Sequence, residues 1–230
     1  MQSDLPKVLH RFMGKPLILH VLDNLRDSGV ADICVVVGYR GDLVVDTVGE
    51  RARTVWQYEQ LGTGHAVMQA RSHFRDYEGR IIVACGDVPL VRPDTFRALV
   101  AASDSGRVGA VVLTMVPEDP AGYGRVVRDS AGLFLRIVEE RDATEEEKGI
   151  REVNSGTYLF DARILFEGLG RIGTDNAQGE YYLPDVLGFA KSRGYEVATL
   201  LLDDPIEGSG VNTVGELRRL EEYCAKRKTG

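Results

Sequence analysis

The chain has 230 residues, of which 43% are hydrophobic and 27% charged, and this usage is typical of a globular domain rather than a disordered, collagen-like or coiled-coil protein. Its 28 basic and 35 acidic residues give a net charge of −7, which argues against the basic surface that a duplex-binding protein needs. The apolar runs are too short to span a membrane, and the first residues contain no apolar signal segment. We therefore expect one cytoplasmic domain over residues 1–230, with no nucleic-acid or membrane partner.

The first half of the chain alternates β-rich runs with helical patterns. The run DICVVVG at 32–38 is rich in β-branched residues and predicts a buried strand. Strands that alternate with helices favour βαβ crossovers and a mainly parallel sheet. In chain order, the predicted elements are a helix over 16–28, strands over 32–38 and 53–58, a helix over 63–75, a strand over 80–87, a helix over 94–103 and a strand over 109–116.

The second half predicts a hairpin followed by more strands and helices. Residues 124–140 predict two strands around a turn at 129–132, and Thr213 and Glu216 have capping-box spacing at the start of the last helix. The other predicted elements are an acidic loop or short helix over 143–149, strands over 153–161 and 198–204, and helices over 181–193 and 210–228. We expect an α/β fold, in which a Rossmann-like, mainly parallel sheet is flanked by helices and a small antiparallel subdomain walls one side of a cleft.

Asp87 is the first candidate for a ligand-binding side chain. It follows an apolar strand and comes directly after Gly86, and ligands of open α/β sheets bind beyond the carboxyl ends of the strands. Glycine lets a ligand approach the backbone, and a carboxylate there can hold Mg²⁺ together with substrate phosphates. Asn212, just before the last helix, offers an amide oxygen as a second ligand. The alternatives are a turn or helix N-cap for Asp87 and a helix cap for Asn212.

The segment QYEQLGTGHA at 57–66 joins a predicted strand end to a predicted helix start. Its glycines and Thr63 offer backbone N–H groups and a hydroxyl, which suit a base edge, a ribose or a phosphate. A plain glycine-rich turn is the alternative. The chain contains neither a Walker A motif nor GxGxxG, so nothing supports a nicotinamide-binding Rossmann fold.

Polar side chains at three other places are candidates for the same cleft. Lys7 follows Pro6 in an extended segment and could neutralise phosphate, or be an ordinary solvated lysine. Glu139 and Asn154 lie at predicted strand ends and could bind sugar hydroxyls, or be exposed polar residues. The loop NAQGEYY at 176–182 could recognise a polar, ring-shaped ligand, or be an ordered loop before a helix.

The sequence favours chemistry by positioning and charge neutralisation over a covalent enzyme intermediate. It contains no HExxH motif and suggests no Ser-His-Asp or Cys-His arrangement. The three cysteines, Cys34, Cys85 and Cys224, form no CxxC pair, so we expect small, buried or half-buried thiols in a reducing compartment.

Nine segments occur together in one order, and the set is more specific than any one member. They are Leu5–His10, Gly14–Pro16, Gln60–Ala66, Gly86–Leu90, Asp119–Arg125, Ile137–Glu139, Glu152–Gly156, Asn176–Tyr182 and Gly210–Asn212. On these segments, nearly all of the chain closely resembles the uridylyltransferase domains of the bifunctional N-acetylglucosamine-1-phosphate uridylyltransferase/glucosamine-1-phosphate acetyltransferase family. QLGTGHA and NAQGEYY together are strong markers within the wider sugar-nucleotidyltransferase family.

The resemblance implies the nucleotide-diphospho-sugar transferase fold and a Mg²⁺-dependent reaction of UTP with N-acetylglucosamine-1-phosphate to give UDP-N-acetylglucosamine and pyrophosphate. It implies a cytoplasmic enzyme of cell-wall biosynthesis, supplying peptidoglycan and lipopolysaccharide. The residue roles that it implies are Mg²⁺ ligation by Asp87 and Asn212, uracil contacts by Gln57, Gly62 and Thr63, a phosphate contact by Lys7, and sugar-side contacts by Gly124, Glu139 and Asn154. Lys7 and Asp87 are the implied catalytic residues.

Two further residues, Cys85 and Gly86, belong to the implied substrate-binding set. Some relatives carry a tyrosine at the position of Cys85, so we expect its contact to be altered or made by the backbone. A nucleotidyltransferase for another sugar or base and a non-catalytic nucleotide-sugar binder are the alternatives to the implied activity, and a plain interaction domain would show neither binding nor turnover.

Two departures from the family pattern affect these expectations. Relatives carry, directly before the Met that corresponds to Met1, a first strand and the loop L-x-x-G-x-G-T-R, which cradles the triphosphate. We hypothesise that the start lies further upstream or that upstream residues are absent, because a missing central strand leaves two rows of backbone groups unpaired. The absent loop is the feature that favours the non-catalytic binder. Relatives also continue into a left-handed β-helix that transfers acetyl groups and assembles trimers, so acetyl transfer is not predicted and the oligomeric state is open.

Overall fold

The computed structural model describes residues 4–104 and 106–228, and the predicted elements occur in the predicted order. The helices Gly41–Val48 and Ala162–Leu169 and the short strands Arg11–Phe12 and Lys15–Pro16 were not predicted. The strands are β1 (Arg11–Phe12), β2 (Lys15–Pro16), β3 (Cys34–Val37), β4 (Arg53–Trp56), β5 (Arg80–Val83), β6 (Val108–Met115), β7 (Arg125–Arg128), β8 (Phe134–Val138), β9 (Val153–Asp161) and β10 (Glu196–Leu201). The helices are α1 (Leu17–Asp27), α2 (Gly41–Val48), α3 (Thr63–Gln69), α4 (Pro93–Ala101), α5 (Glu145–Lys148), α6 (Ala162–Leu169), α7 (Asp185–Ser192) and α8 (Val214–Lys228). Within the described residues, no helix is both long and apolar enough to cross a bilayer.

The larger sheet has the strand order β10-β6-β9-β7-β8, and β5 also pairs with β9. Strands β6 and β10 are parallel, whereas β9 runs antiparallel to β5, β6 and β7. The α/β class is confirmed, but the sheet is mixed and not mainly parallel. The reason is the position of β9, which returns from the β7–β8 hairpin and lies between β5 and β6.

Two smaller sheets have two strands each among the described residues: β1 and β2 pair antiparallel, and β3 and β4 pair in parallel from Cys34 opposite Arg53 to Val37 opposite Trp56. The run at 32–38 was predicted to be a buried strand. Only Val37 of β3 is buried, and the other three residues of the strand are half-buried. The difference follows from the pairing, because among the described residues β3 has a strand neighbour on one edge only.

Helix α1 connects the core of the large sheet with the core of the β3–β4 sheet. Val21 and Leu25 pack into the cluster beneath β6 and β9, whereas Leu22 packs into the cluster that contains Val37 of β3. These residues recur at the spacing of one helix face, which is why the helix buries that side. The helix is followed by Gly29 at φ 101°, a backbone conformation that favours glycine and ends the helix as predicted.

The hairpin of β7 and β8 forms as predicted, around a turn made by Asp129 and Gly132. The Asp129 carboxylate accepts hydrogen bonds from the backbone N–H of Ala131 and of Leu133, both at 2.9 Å. Gly132 supplies a positive φ of 79°. Through β7, the hairpin is continuous with the large sheet, so the antiparallel subdomain extends that sheet and shares its core.

Glu207 holds the turn after β10 against the start of α4. It is 4% exposed. Its carboxylate accepts hydrogen bonds from the Arg92 backbone N–H at 3.0 Å, from Arg92 Nε at 2.7 Å and from the Thr95 hydroxyl. A buried carboxylate is tolerated there because every contact is a donor, and one of the donors is charged.

Replacing Glu207 with Ala is expected to lower the free energy of unfolding by about 2–3 kcal/mol, because the Thr95 hydroxyl and the Arg92 backbone N–H lose their acceptor. Urea denaturation measures the change. Glu196→Ala, at an exposed position, is the control and is expected to stay within about 0.5 kcal/mol of the parent. Equal midpoints for the two variants would show that the Glu207 contacts add nothing to stability.

Candidate functional site

Lys7, Asp87 and Asn212 meet at one point, although they are far apart in the sequence. The Lys7 ammonium forms an ion pair with the Asp87 carboxylate and donates a hydrogen bond of 2.8 Å to the Asn212 amide oxygen. The Asp87 side chain is 15% exposed and that of Lys7 is 41% exposed. The two oxygen groups that the sequence singled out therefore contact the same cation.

The backbone around Asp87 explains this convergence. Asp87 lies in a turn beyond the end of β5, and its carbonyl oxygen accepts a hydrogen bond of 3.0 Å from the Val211 N–H. That bond fixes the segment carrying Asn212 beside the turn. Lys7 begins a short 3-10 helix directly after Pro6, and its side chain brings the N-terminal segment into contact with the same turn.

Helix capping accounts for neither Asp87 nor Asn212. The residue before α4 is Arg92, so Asp87 caps no helix there. The cap of α8 is Thr213, whose hydroxyl accepts from the Glu216 N–H at 3.1 Å while the Glu216 carboxylate accepts from the Thr213 N–H at 2.8 Å. The predicted capping box is confirmed, and the Asn212 amide oxygen serves Lys7 instead.

The donor set at this point fits a small, hard divalent cation. Asp87 supplies carboxylate oxygens and Asn212 an amide oxygen, and both already contact one positive charge. Mg²⁺ prefers oxygen ligands, uses one or two carboxylates and takes the rest from phosphates and water. Among the described residues, no group of three or more His, Cys, Asp and Glu could hold a metal ion. The residues thus fit an ion that brings most of its ligands with the substrate.

The glycine-rich segment and the NAQGEYY loop bind each other through their backbones. The Tyr181 N–H donates to the Leu61 carbonyl at 2.8 Å, and the Gly64 N–H donates to the Tyr181 carbonyl at 2.7 Å. The Thr63 hydroxyl accepts from the Leu183 N–H at 3.1 Å. The expectation that this segment offers free N–H groups is therefore wrong for Gly64, whose N–H is used inside the protein.

The NAQGEYY loop lies so close to the glycine-rich segment that side chains at Gly62 and Gly64 would collide with it. A Cβ on Gly62 would lie 2.7 Å from the Tyr181 carbonyl oxygen, and one on Gly64 would lie 3.0 Å from it. Gly62 also has φ 103°, which side chains disfavour. Gln57 is held beside them, because its Nε2 donates to the Gly62 carbonyl at 3.1 Å and lies 3.1 Å from His65 Nδ1.

Gly124, Glu139 and Asn154 form a second group of predicted residues. The Asn154 N–H donates to the Gly124 carbonyl at 2.9 Å, and a Cβ on Gly124 would lie 3.2 Å from Glu139 Oε1. Asn154 is buried, with 8% exposed, so the alternative of an exposed polar residue is wrong for it. Its Nδ2 donates to the Tyr158 hydroxyl at 2.5 Å and its Oδ1 accepts from the Gly156 N–H at 2.9 Å.

The carboxyl of Glu139 lies in an acidic environment. Burial raises its pKa, and the negative charges of Asp142 and Asp185 raise it further. Burial likewise raises the pKa of Asp185, with Asp142 as the second cause. Repulsion between neighbouring carboxylates and loss of solvation both disfavour the charged form, so Glu139 holds its proton more strongly than an exposed glutamate.

Asp142 ties the NAQGEYY loop to the end of the hairpin. Its carboxylate accepts from the Ala177 N–H at 2.8 Å and from the Tyr182 hydroxyl at 3.0 Å. The Tyr182 hydroxyl in turn accepts from Gln178 Nε2 at 2.9 Å. The Asp142 N–H donates to the Glu139 carbonyl at 3.0 Å, so one residue connects the loop to Glu139.

Cys85 and Gly86 have packing roles in the structure. Burial raises the pKa of the Cys85 thiol to about 12, so the thiol is neutral, and it donates to the Gly156 carbonyl at 3.5 Å. A Cβ on Gly86 would lie 2.8 Å from Ile18 Cδ1. The lack of a side chain at Gly86 therefore lets α1 pack closely, and because Gly86 and Cys85 also line the large cavity, their part in substrate binding stays a prediction.

One cavity of about 1270 Å³ reaches the residues of the three groups. Its lining includes Lys7, Thr63, Glu139 and Asn154. Lys7 of the first group, Thr63 of the glycine-rich segment, and Glu139 and Asn154 of the second group therefore open onto the same space.

Residues 1–153 match the family model described as a MobA-like NTP transferase domain. The chain belongs to this family of NTP transferases. It is 48% identical to the Bifunctional protein GlmU of Heliobacterium modesticaldum, 44% to that of Exiguobacterium sp. and 42% to that of Pelotomaculum thermopropionicum, each over 227 residues. These alignments cover 99% of this chain and 50% of each relative, so the chain spans about half the length of the curated relatives it matches. The resemblance stated from the sequence is confirmed.

A crystal structure of a Bacillus anthracis protein, described as a glucose-1-phosphate thymidylyltransferase in complex with sucrose, has a similar fold. The TM-score is 0.72 at 20% sequence identity, and the match covers 94% of this chain and 85% of that one. The expected nucleotide-diphospho-sugar transferase fold is confirmed.

Three residues of this NTP transferase escaped the sequence analysis. Asp142 lies in an acidic stretch of the sequence, and its position three residues after Glu139 was the only feature that could have marked it as part of the site. Tyr158 lies in the middle of β9, where an aromatic residue predicts core packing. Tyr123 precedes Gly124, and burial raises its pKa although its hydroxyl is hydrogen-bonded to the Gly210 backbone. Tyr123 therefore links the hairpin to the segment carrying Asn212.

The raised pKa of Glu139 predicts a specific pH dependence of stability. The folded state holds this proton more tightly than the unfolded chain does, so the stability it contributes is present below the ordinary value of about 4.5 and is lost as pH rises through the raised pKa. In Glu139→Gln, the free energy of unfolding is expected to fall less between pH 4.5 and pH 7 than in the parent.

Urea denaturation at several pH values measures this effect. Glu118→Gln, at an exposed position, is the control and is expected to retain the parental slope. If Glu139→Gln and Glu118→Gln decline equally with pH, burial does not raise the pKa of Glu139.

Proposed function

We propose that this NTP transferase transfers UMP from UTP to N-acetylglucosamine-1-phosphate, giving UDP-N-acetylglucosamine and pyrophosphate. The observation that carries the proposal is the convergence of Asp87 and Asn212 on Lys7, which itself lines the large cavity. The relatives named Bifunctional protein GlmU, at 42–48% identity over nearly the whole chain, support the choice of activity. A nucleotide and a sugar phosphate are the substrate classes.

Asp87 and Asn212 would hold Mg²⁺ through a carboxylate and an amide oxygen. When bound, the ion neutralises phosphate charge and orients the reacting groups. Lys7 occupies both oxygens in the structure, so it would release them when the ion binds. Its ammonium would then pair with a phosphate oxygen, and its position after Pro6 keeps it near the reacting atoms.

Gln57, Gly62 and Thr63 would form the uracil side of the site. The Nε2 of Gln57 is held by the Gly62 carbonyl, which fixes the carboxamide and leaves its Oε1 to accept from the N–H of a uracil ring. Thr63 lines the cavity, and its hydroxyl hydrogen is available for donation because the Leu183 N–H uses only a lone pair.

Gly124, Glu139 and Asn154 would form the sugar side. Glu139 lines the cavity, and its carboxylate accepts no hydrogen bond from the described part of the chain, so it can accept from sugar hydroxyls. Asn154 retains one N–H for an acetamido or hydroxyl oxygen. The lack of a side chain at Gly124 leaves Glu139 its space.

The reaction is an in-line displacement at the α-phosphorus of UTP. A phosphate oxygen of the sugar phosphate forms the new P–O bond, the bond from the α-phosphorus to the bridging oxygen breaks, and pyrophosphate leaves. The nucleophile is already an anion, so no side chain has to remove a proton. The protein's work is to position the phosphates and to neutralise their charge, which suits Lys7 and the oxygens of Asp87 and Asn212.

Replacing Asp87 with Asn tests the proposal. We expect the rate of UDP-N-acetylglucosamine formation with Mg²⁺ to fall roughly 10²- to 10⁴-fold, because the charged ligand of the ion is lost. Pyrophosphate release measures the rate, and circular dichroism checks the fold. Asp94→Asn, whose carboxylate is exposed on α4, is the control and is expected to turn over like the parent. Near-parental turnover of Asp87→Asn would show that Asp87 is not the charged ligand of the ion.

A non-catalytic nucleotide-sugar binder is the second candidate. The observation that favours it is the contact of the Lys7 ammonium with Asp87 and Asn212. A lysine that is already held by two protein oxygens is less able to stabilise the charge of a reacting phosphate. Calorimetric binding of UDP-N-acetylglucosamine without pyrophosphate release would select this candidate. A panel of other nucleoside triphosphates and sugar phosphates would detect a transferase of different specificity.

Asp142 is proposed as a positioning residue for the sugar side. In Asp142→Ala the NAQGEYY loop loses two hydrogen bonds, and we expect the KM for N-acetylglucosamine-1-phosphate to rise about tenfold with a smaller change in kcat. Asp142→Asn keeps an acceptor and should rescue much of the KM. Asp175→Ala, exposed near the same loop, is the control. A lowered melting temperature with an unchanged KM would mean that Asp142 acts on stability alone.

A further inference from the structure

His65 lies in the first turn of α3, directly beside the residues of the proposed uracil side, and no step of the proposed reaction uses it. The residue is half-buried. Its ring is stacked on Tyr181 of the NAQGEYY loop, with 6.2 Å between the ring centroids and 29° between the ring planes. The stack fixes the plane of the imidazole, and each of its two nitrogens then meets the amide of a glutamine.

The carboxamide of Gln57 has one orientation that suits its neighbours. Its Nε2 donates to the Gly62 carbonyl at 3.1 Å and lies 3.1 Å from His65 Nδ1. The Gly62 carbonyl also accepts from the Ala66 N–H at 3.1 Å, so the start of α3 holds it in place. A carbonyl oxygen can only accept, so the two hydrogens of Gln57 Nε2 point to Gly62 and to His65, and His65 Nδ1 has to be an acceptor.

The other ring nitrogen of His65 meets Gln69, one turn later in α3. Gln69 Nε2 lies 3.1 Å from His65 Nε2 and donates to the His65 carbonyl at 3.0 Å. A neutral imidazole has one acceptor nitrogen and one N–H, so it cannot accept from both glutamines at once. Gln69 is the side chain that can turn, because it is the last residue of α3 and its bond to His65 is local. Turning Gln57 would instead place its Oε1 against the Gly62 carbonyl.

We propose that His65 is a positioning residue that sets the nucleobase preference of the site. With its proton on Nε2, the ring accepts from Gln57 at Nδ1 and leaves the Gln57 Oε1 as the group that meets the base. The inference rests on the uracil contact of Gln57 in the proposed function, and it adds the reason why Gln57 presents an acceptor there.

Uracil and cytosine differ at the atom that such an acceptor meets. N3 of uracil carries a hydrogen, whereas N3 of cytosine is a lone pair, so Gln57 Oε1 attracts the first base and repels the second. A proton on His65 Nδ1 would require Gln57 to turn its oxygen toward the ring. Its Nε2 would then present a donor to the base, which suits cytosine. The position of one proton on His65 therefore decides which base is preferred.

Calorimetric titration of the intact chain with UTP and with CTP, each in the presence of Mg²⁺, tests the proposal. We expect the parent to bind UTP more tightly than CTP. In His65→Phe the ring can still stack on Tyr181 but offers no acceptor, and the ratio of UTP affinity to CTP affinity is expected to fall at least about tenfold. His65→Asn places a side-chain oxygen near the position of Nδ1 and is expected to recover most of the ratio.

The matched control is His73→Phe. The ring of His73 contacts Asp32 and Arg53 instead of a glutamine, so this variant is expected to keep the parental ratio. An unchanged ratio in His65→Phe would overturn the role of His65 while leaving the uracil contact of Gln57 in place. Equal affinity of the parent for the two nucleotides, or binding of neither, would overturn that contact and this inference with it.

The ¹⁵N resonances of the imidazole give a second readout, which a merely structural role of His65 would not predict. Spectra of the parent, assigned by comparison with His65→Asn, are expected to show a protonated Nε2 and an unprotonated Nδ1. A proton on Nδ1 would overturn the proposal. This measurement uses the parent ring itself, so it decides the matter even where His65→Phe fails to fold.

Discussion

The contact of one ammonium with two oxygen ligands organises the candidate site. Lys7, Asp87 and Asn212 come from the N-terminal segment, the turn after β5 and the segment before α8, and only the tertiary fold brings them together. A carboxylate that is mostly buried needs a compensating charge, and Lys7 supplies it. Because the ammonium remains partly exposed, the proposed replacement of Lys7 by Mg²⁺ at these oxygens would leave the core in place.

The walls of the cleft are held by backbone contacts between sequence motifs. The glycine-rich segment and the NAQGEYY loop share two backbone hydrogen bonds, a third joins Thr63 to Leu183 directly after the loop, and Asp142 binds the Ala177 N–H within the loop. Each motif is therefore partly a structural partner of the other. This explains why substitutions in either motif would disturb both sides of the cleft, and why only some of their polar groups remain for a ligand.

The sequence predicted which segments form helices and strands better than it predicted which strands pair with one another. The bounds of β9 and the capping box of α8 could be predicted because they depend on local patterns. The antiparallel position of β9 and the half-exposed state of β3 could not, because a hydrophobic run does not reveal which strand pairs with it. Asp87 was found from its place after a strand. Asp142 was missed because its role depends on Tyr182 and Ala177, which lie in a distant loop.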